Sequence, residues 1–104
     1  MENKIISAAE YKLPTLKQEQ KTIVLIDVNG NNFEAVFNVP TIKQLMLMEE
    51  AAVEYKDVDG VLYEKKSNVR KIEWILNNLL ELPVGLQIEH LNKLSALELA
   101  DTFR

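Results

Sequence analysis

The sequence predicts an α+β fold: an N-terminal antiparallel β-hairpin, with room for a third strand, packed against a C-terminal bundle of about four helices. Three observations predict it. Asn29-Gly30 separates two runs rich in β-branched and aromatic residues, TIVLIDV and NNFEAVFNV, and an Asn-Gly pair between such runs is a strong hairpin signal. Pro40-Thr41 follows at once and opens a stretch whose apolar residues recur at helical spacing. From Lys66 the apolar residues return every three or four positions as far as Leu82, where Pro83 stops them. The organisation expected is an arm or linker over 1–21 and one α+β domain over 22–104. Within the domain the hairpin occupies 22–39 and the helices about 41–55, 66–82, 86–94 and 96–103.

With a two-residue turn at Asn29-Gly30, Ile26 faces Phe33, Val24 faces Ala35 and Thr22 faces Phe37. Val24, Ile26, Val28, Phe33, Ala35, Phe37 and Val39 then form one apolar surface, the expected core face. Ile23, Leu25 and Val36 fall on the other face among Lys21, Asp27, Glu34 and Asn38. That face is more apolar than solvent requires, so a third strand, the N-terminal arm or another chain is expected to cover it. Ile5, Ile6, Tyr11 and Leu13 suit a strand or arm that closes the sheet, while Pro14 to Lys21 reads as a polar linker.

Thr41-Ile-Lys-Gln44 is a capping box. Behind it Ile42, Leu45, Met46, Met48, Ala52, Val53 and Tyr55 share one arc at 100° per residue, with Glu49 inside the arc and Leu47 opposite. Asp57-Val-Asp-Gly60 breaks this helix; it lacks the closing Glu of a calcium loop and reads as a plain turn. The next helix carries Val69, Ile72, Ile75, Leu76, Leu79, Leu80 and Leu82 on one side. Trp74 lies opposite them, among Arg70, Lys71, Asn78 and Glu81. Either the arm or the C-terminal helices wrap over that indole, or it anchors a partner. Leu86, Leu91 and Leu94 suit a short helix, and Ser95-Ala-Leu-Glu98 is a second capping box opening a last helix through Phe103.

The chain of 104 residues suits one small domain, and 47% hydrophobic with 27% charged residues is an ordinary globular balance. No apolar run is long enough to span a bilayer, and the N-terminus lacks the apolar region of a secretory signal. There is no cysteine, which excludes disulfides, thiolate nucleophiles and cysteine metal sites and fits a cytosolic origin. A net charge of −4 argues against a partner with a phosphate backbone. The lone histidine, His90, reads as a surface residue without an oriented partner. Gly30, Gly60 and Gly85 are isolated, so no phosphate loop is present. No catalytic residues, metal ligands or cofactor are expected, and the protein does not read as an enzyme.

The order of elements, with F-N-V-P-T-I-K-Q-L opening a helix rich in Met, Leu and Glu and L-S-A-L-E-L near the end, resembles the tail assembly chaperones of long-tailed bacteriophages and prophages of Gram-positive hosts. The resemblance runs from about Thr22 onwards. It implies a non-enzymatic protein of the bacterial host cytoplasm, absent from the mature virion. Such proteins bind and solubilise the helical tape measure protein and help tail tube subunits assemble around it. Many of their genes also yield a longer product by frameshifting. A monomer or small homo-oligomer is expected, with no nucleic acid or membrane partner. Met46 and Met48, with the out-of-register Leu47 and Trp74, are the candidate client-binding residues, since thioethers adapt to varied surfaces. A core-filling role for both methionines is the plainer alternative. The same residues leave open a structural virion component, such as a head-tail connector or tail-completion protein, or a small regulatory adaptor. The lack of a basic patch disfavours the last.

Overall fold

Asp27 sets the geometry of the first hairpin. The computed structural model describes residues 4–103; residues 1–3 of the expected arm and Arg104 lie outside these. Strand β1 (Gln20–Ile26) pairs antiparallel with β2 (Asn32–Asn38). One Asp27 carboxylate oxygen accepts the N–H groups of Asn29 and Asn31 at 2.8 and 2.9 Å. The Asp27 N–H donates to the Asn31 carbonyl at 2.9 Å, and the Gly30 N–H donates to the Asp27 carbonyl at 3.0 Å. The loop is therefore Val28 to Gly30, three residues ending at Gly30 with φ +83°, where a side chain would be strained.

A loop of three residues instead of two shifts the pairing by one, and the side-chain period of two then inverts one strand. Ile23 lies opposite Ala35 and Leu25 opposite Phe33. Leu25, Ala35 and Phe37 are fully buried, with Ile23 and Phe33 packed beside them, whereas Val24 and Val28 are exposed. The expected core face is thus correct for β2 and wrong for β1. The Asn-Gly pair is a turn signal, but the carboxylate before it selects the longer loop.

These bonds, the Asn31 N–H first among them, hold the Asp27 carboxyl below its ordinary pKa of 3.8. On acidification the unfolded chain takes up this proton before the folded one. The contribution is therefore present above the ordinary carboxylate range and is lost as pH falls through the folded value. Between about pH 5 and about pH 3 the native sequence is expected to lose more thermal stability than Asp27→Asn. Equal losses in paired melting curves would show that the turn contributes nothing to acid sensitivity.

Helix α1 (Ile42–Ala51) opens on the expected box: Thr41 Oγ1 accepts the Gln44 N–H at 3.2 Å and Gln44 Oε1 accepts the Thr41 N–H at 2.9 Å. It ends at Ala51, short of Tyr55, because a second hairpin begins there. Strands β3 (Val53–Val58) and β4 (Val61–Lys66) pair antiparallel as a separate two-stranded sheet. Asp59 and Gly60 have φ of +54° and +81°, the paired positive values of a two-residue turn whose twist matches the strands. The Asp57 carboxylate accepts the Gly60 N–H at 3.0 Å. The expected helical tail over 52–55 is corrected to strand from Val53 on, and the turn expected over 57–60 is the tip of a β-ribbon.

Ser67 caps α2 (Asn68–Asn78), its Oγ accepting the Arg70 N–H at 3.3 Å. The helix stops before Leu82, and Leu80–Leu82 forms β5 along β2, giving the order β1-β2-β5. Leu82 precedes Pro83, and a residue before proline is biased away from helix toward extended backbone. The third strand thus comes from the C-terminal half and not from the arm. Val69 and Leu82, expected in the core stripe, are exposed, while Ile72, Ile75, Leu76 and Leu79 are buried.

The helix expected over 86–94 reduces to one 3-10 turn, Ile88–His90, in which His90 Nδ1 accepts the Gln87 N–H at 3.0 Å. Helix α3 (Lys93–Thr102) starts earlier than expected, because Asn92 is its cap, accepting the Leu94 N–H at 2.9 Å. Ser95 therefore lies inside the helix, buried, with its Oγ accepting the Ile26 N–H of β1 at 2.8 Å. The described residues hold three α-helices, not four, and these share one core with the sheet. Their core joins Leu25, Ala35 and Phe37 to Met48, Ile72, Ile75, Leu79, Leu99 and Phe103. Beyond this body extend the ribbon and residues 4–19, and the radius of gyration is 18.5 Å against about 13 Å for a compact chain of this length.

Candidate functional site

The ribbon presents apolar side chains to both sides. Cross-strand pairing of Tyr55 with Glu64 and Asp57 with Leu62 puts Tyr55 and Leu62 diagonally on one face. Lys56 opposite Tyr63 and Val58 opposite Val61 put Tyr63 and the two valines on the other. Every residue from Tyr55 to Lys66 is exposed. Apolar surface on this scale is normally a place of contact. A two-stranded ribbon is marginal by itself in water, and this one is held mainly at its root. There the Ser67 N–H donates to the Ala52 carbonyl at 2.6 Å, and Arg70 Nε donates to Glu54 Oε1 at 3.1 Å. That ion pair is largely solvated and adds little to stability, but it orients the ribbon against α2.

The four residues expected to bind a client do not form one patch. Met46 and Leu47 are 61% and 42% exposed, and Met48 is 1% exposed. Residues two apart on a helix stand about 200° apart, so burying Met48 with Leu45 and Ala52 turns Met46 outward. Ile42, one turn before Met46, is 79% exposed and extends the outward stripe. Met48 is core. Glu49, expected inside the apolar arc, is exposed beside a groove of about 220 Å³ between the end of α1 and the start of α2. Trp74 is half-buried and packs against the core. It borders a shallow hollow shared with Ala51, Arg70 and Asn78, and its carbonyl accepts from Asn78 Nδ2 at 2.9 Å. Trp74→Ala is therefore expected to cost about 2 kcal/mol, since it vacates half-buried volume. The melting temperature should fall by on the order of 10 °C. A shift under about 2 °C in a thermal melt would return the indole to a purely surface role.

Sequence reasoning missed Tyr55, Val58, Val61, Leu62 and Tyr63 as a surface. The available signal was Asp59-Gly60 between two six-residue runs with β-branched and aromatic residues. No cluster of three or more His, Asp or Glu side chains suited to a metal lies among the described residues. Among the same residues, no helix is long and apolar enough to cross a membrane. The His90 carbonyl accepts the Val28 N–H at 2.9 Å, so with its ring capping a turn this histidine serves the backbone. Compared with known proteins, the chain matches no family model, no curated protein and no solved structure.

Proposed function

We propose that this protein is a non-enzymatic tail assembly chaperone of a bacteriophage or prophage, which holds the tape measure protein soluble in the host cytoplasm and leaves before the virion is complete. The observation that carries the reading is the exposed ribbon, supported by Ile42, Met46 and Leu47 on α1. A long helical client displays an apolar stripe at three- and four-residue spacing until the tail tube encloses it. A strand of six residues spans about 20 Å, the length of roughly 13 helical residues. One ribbon face thus suits nearly four turns of such a stripe, in the manner of a helix laid on an apolar surface. Exposed anchors on a marginal ribbon give contact that can be displaced, as transient holding requires.

The test is co-expression with the tape measure protein of the same phage or prophage, followed by measurement of the soluble fraction and of the co-purifying complex. The expected result is soluble tape measure protein only when this chain is present. A ring of fixed stoichiometry formed without client would overturn the reading and favour a head-tail connector or tail-completion protein.

A further inference from the structure

The outer edge of β1 is open over part of its length. Asp27 bonds across to Asn31, and the Val39 N–H donates to the Glu19 carbonyl at 2.7 Å, so odd-numbered residues of β1 direct their backbone groups toward β2. Even-numbered residues direct theirs outward. At the far end those outward groups are satisfied: the Ile26 N–H by Ser95 Oγ, the Ile26 carbonyl by the Asn92 N–H, and the Val28 N–H by the His90 carbonyl. Gln20, Thr22 and Val24 have no strand beside them among the described residues, and all three are exposed. An unprotected edge of this kind is a template for another strand.

Helix α3 runs beside that edge. Ser95 touches Ile26 near its start, and Thr102 and Phe103 share a hollow with Lys21 near its end. Its outward side carries Leu94, Leu97 and Glu98, all exposed. The N-terminal arm has the complementary character. Every residue from Lys4 to Gln20 is exposed, including Tyr11, Leu13 and Leu16. Residues 4–21 carry four lysines against two glutamates, and residues 22–103 carry seven cations against thirteen carboxylates. The arm is therefore +2 and the rest of the described chain −6. Residues 18 and 19 still bond to Val39, so the chain enters β1 in line with the strand and the arm leads away from its own body. The 14 residues from Lys4 to Lys17 can reach about 45 Å when extended, enough to cross a neighbouring body.

We propose that the arm of one copy of this chain adds as a strand to the open β1 edge of a second copy, with Tyr11 and Leu13 beside Leu94 and Leu97 and the +2 arm set against a body of −6. Exchange of both arms makes a symmetric dimer, and main-chain bonds to Gln20, Thr22 and Val24 supply the register. Pro14 is tolerated because an added strand has an outer side where its missing N–H goes unused.

The natural lack of cysteine makes the test direct. In sedimentation the full chain should approach twice 11.9 kDa with rising concentration, and Tyr11→Asp/Leu13→Asp should remain monomeric with unchanged circular dichroism. A mixture of the single variants Leu13→Cys and Leu97→Cys should give the mixed disulfide at least five-fold above a mixture of Leu13→Cys and Glu73→Cys. A monomer at all concentrations would overturn the proposal. So would ring closure within one chain carrying both cysteines, or strong self-pairing of Thr22→Cys, which would mean direct edge-to-edge joining of two β1 strands.

Discussion

Replacing Phe37 by alanine is expected to lower the melting temperature of this protein by roughly 12–40 °C. Phe37 has no exposed surface and sits in the middle strand, paired with Lys21 of β1 and Leu80 of β5. Its ring meets that of Phe103 at 5.6 Å and 60°, an edge-to-face arrangement that favours both π-systems. It therefore ties the sheet to the end of α3. Truncation costs about 3–5 kcal/mol from lost burial and the cavity left behind. A domain of this size has roughly 5–10 kcal/mol in all, and each kcal/mol removes about 4–8 °C of melting temperature. Phe37→Leu retains most of the volume and is expected to fold, with a cost of roughly 1–2 kcal/mol. Thermal denaturation of the two variants beside the parent measures the difference. A Phe37→Ala midpoint within about 5 °C of the parent would mean that the core lies elsewhere.

The contrast between the two hairpins shows what the sequence could carry. For the first, alternation and Asn29-Gly30 marked both strands, yet register depended on whether the Asp27 carboxylate captured Asn29 and Asn31. Nothing in the apolar pattern distinguishes loops of two and three residues when β1 is Ile-Val-Leu-Ile, apolar on both faces. For the second, the polar alternation of Val53 to Lys66 is ambiguous, because Glu, Lys and Tyr are equally at home on a solvated helix. Asp59-Gly60 arbitrates, since the left-handed pair closes a ribbon more readily than it ends a helix. The helix ends follow the same logic. Thr41 was legible as a cap because its capping box is local. Ser95 has the same local signature with Glu98, but a tertiary bond to Ile26 draws its hydroxyl away and Asn92 takes the role. Of the candidate site, the exposure of Leu47 was legible from spacing, whereas Met46 and Met48 shared the apolar arc and which of them is buried depended on which side of α1 met the core.

Under the proposed function, changing Tyr55, Leu62 and Tyr63 together to serine is expected to weaken client holding sharply while leaving the body folded. All three side chains are more than half exposed and none belongs to the buried cluster, so the parent melting temperature should move by only about 2–4 °C. Lost strand propensity affects the ribbon, and the ribbon is joined to the body chiefly at Ala52–Ser67 and Glu54–Arg70. A client's apolar stripe laid on one ribbon face covers Tyr55 and Leu62, at about 1 kcal/mol each. Their removal therefore weakens binding by roughly 2 kcal/mol, or about thirtyfold in Kd, and Tyr63→Ser in the same variant removes the opposite face as an alternative. Met48→Ser is the opposing control: it places a hydroxyl in the core and should lower stability without removing any surface the client touches. Solubility of co-expressed tape measure protein and binding of a helical tape measure fragment both report on the triple variant. Undiminished binding would shift the contact to Ile42, Met46 and Leu47 on α1. A melting temperature lowered by more than about 10 °C would show that the ribbon is part of the folding unit and not an appendage presented to a partner.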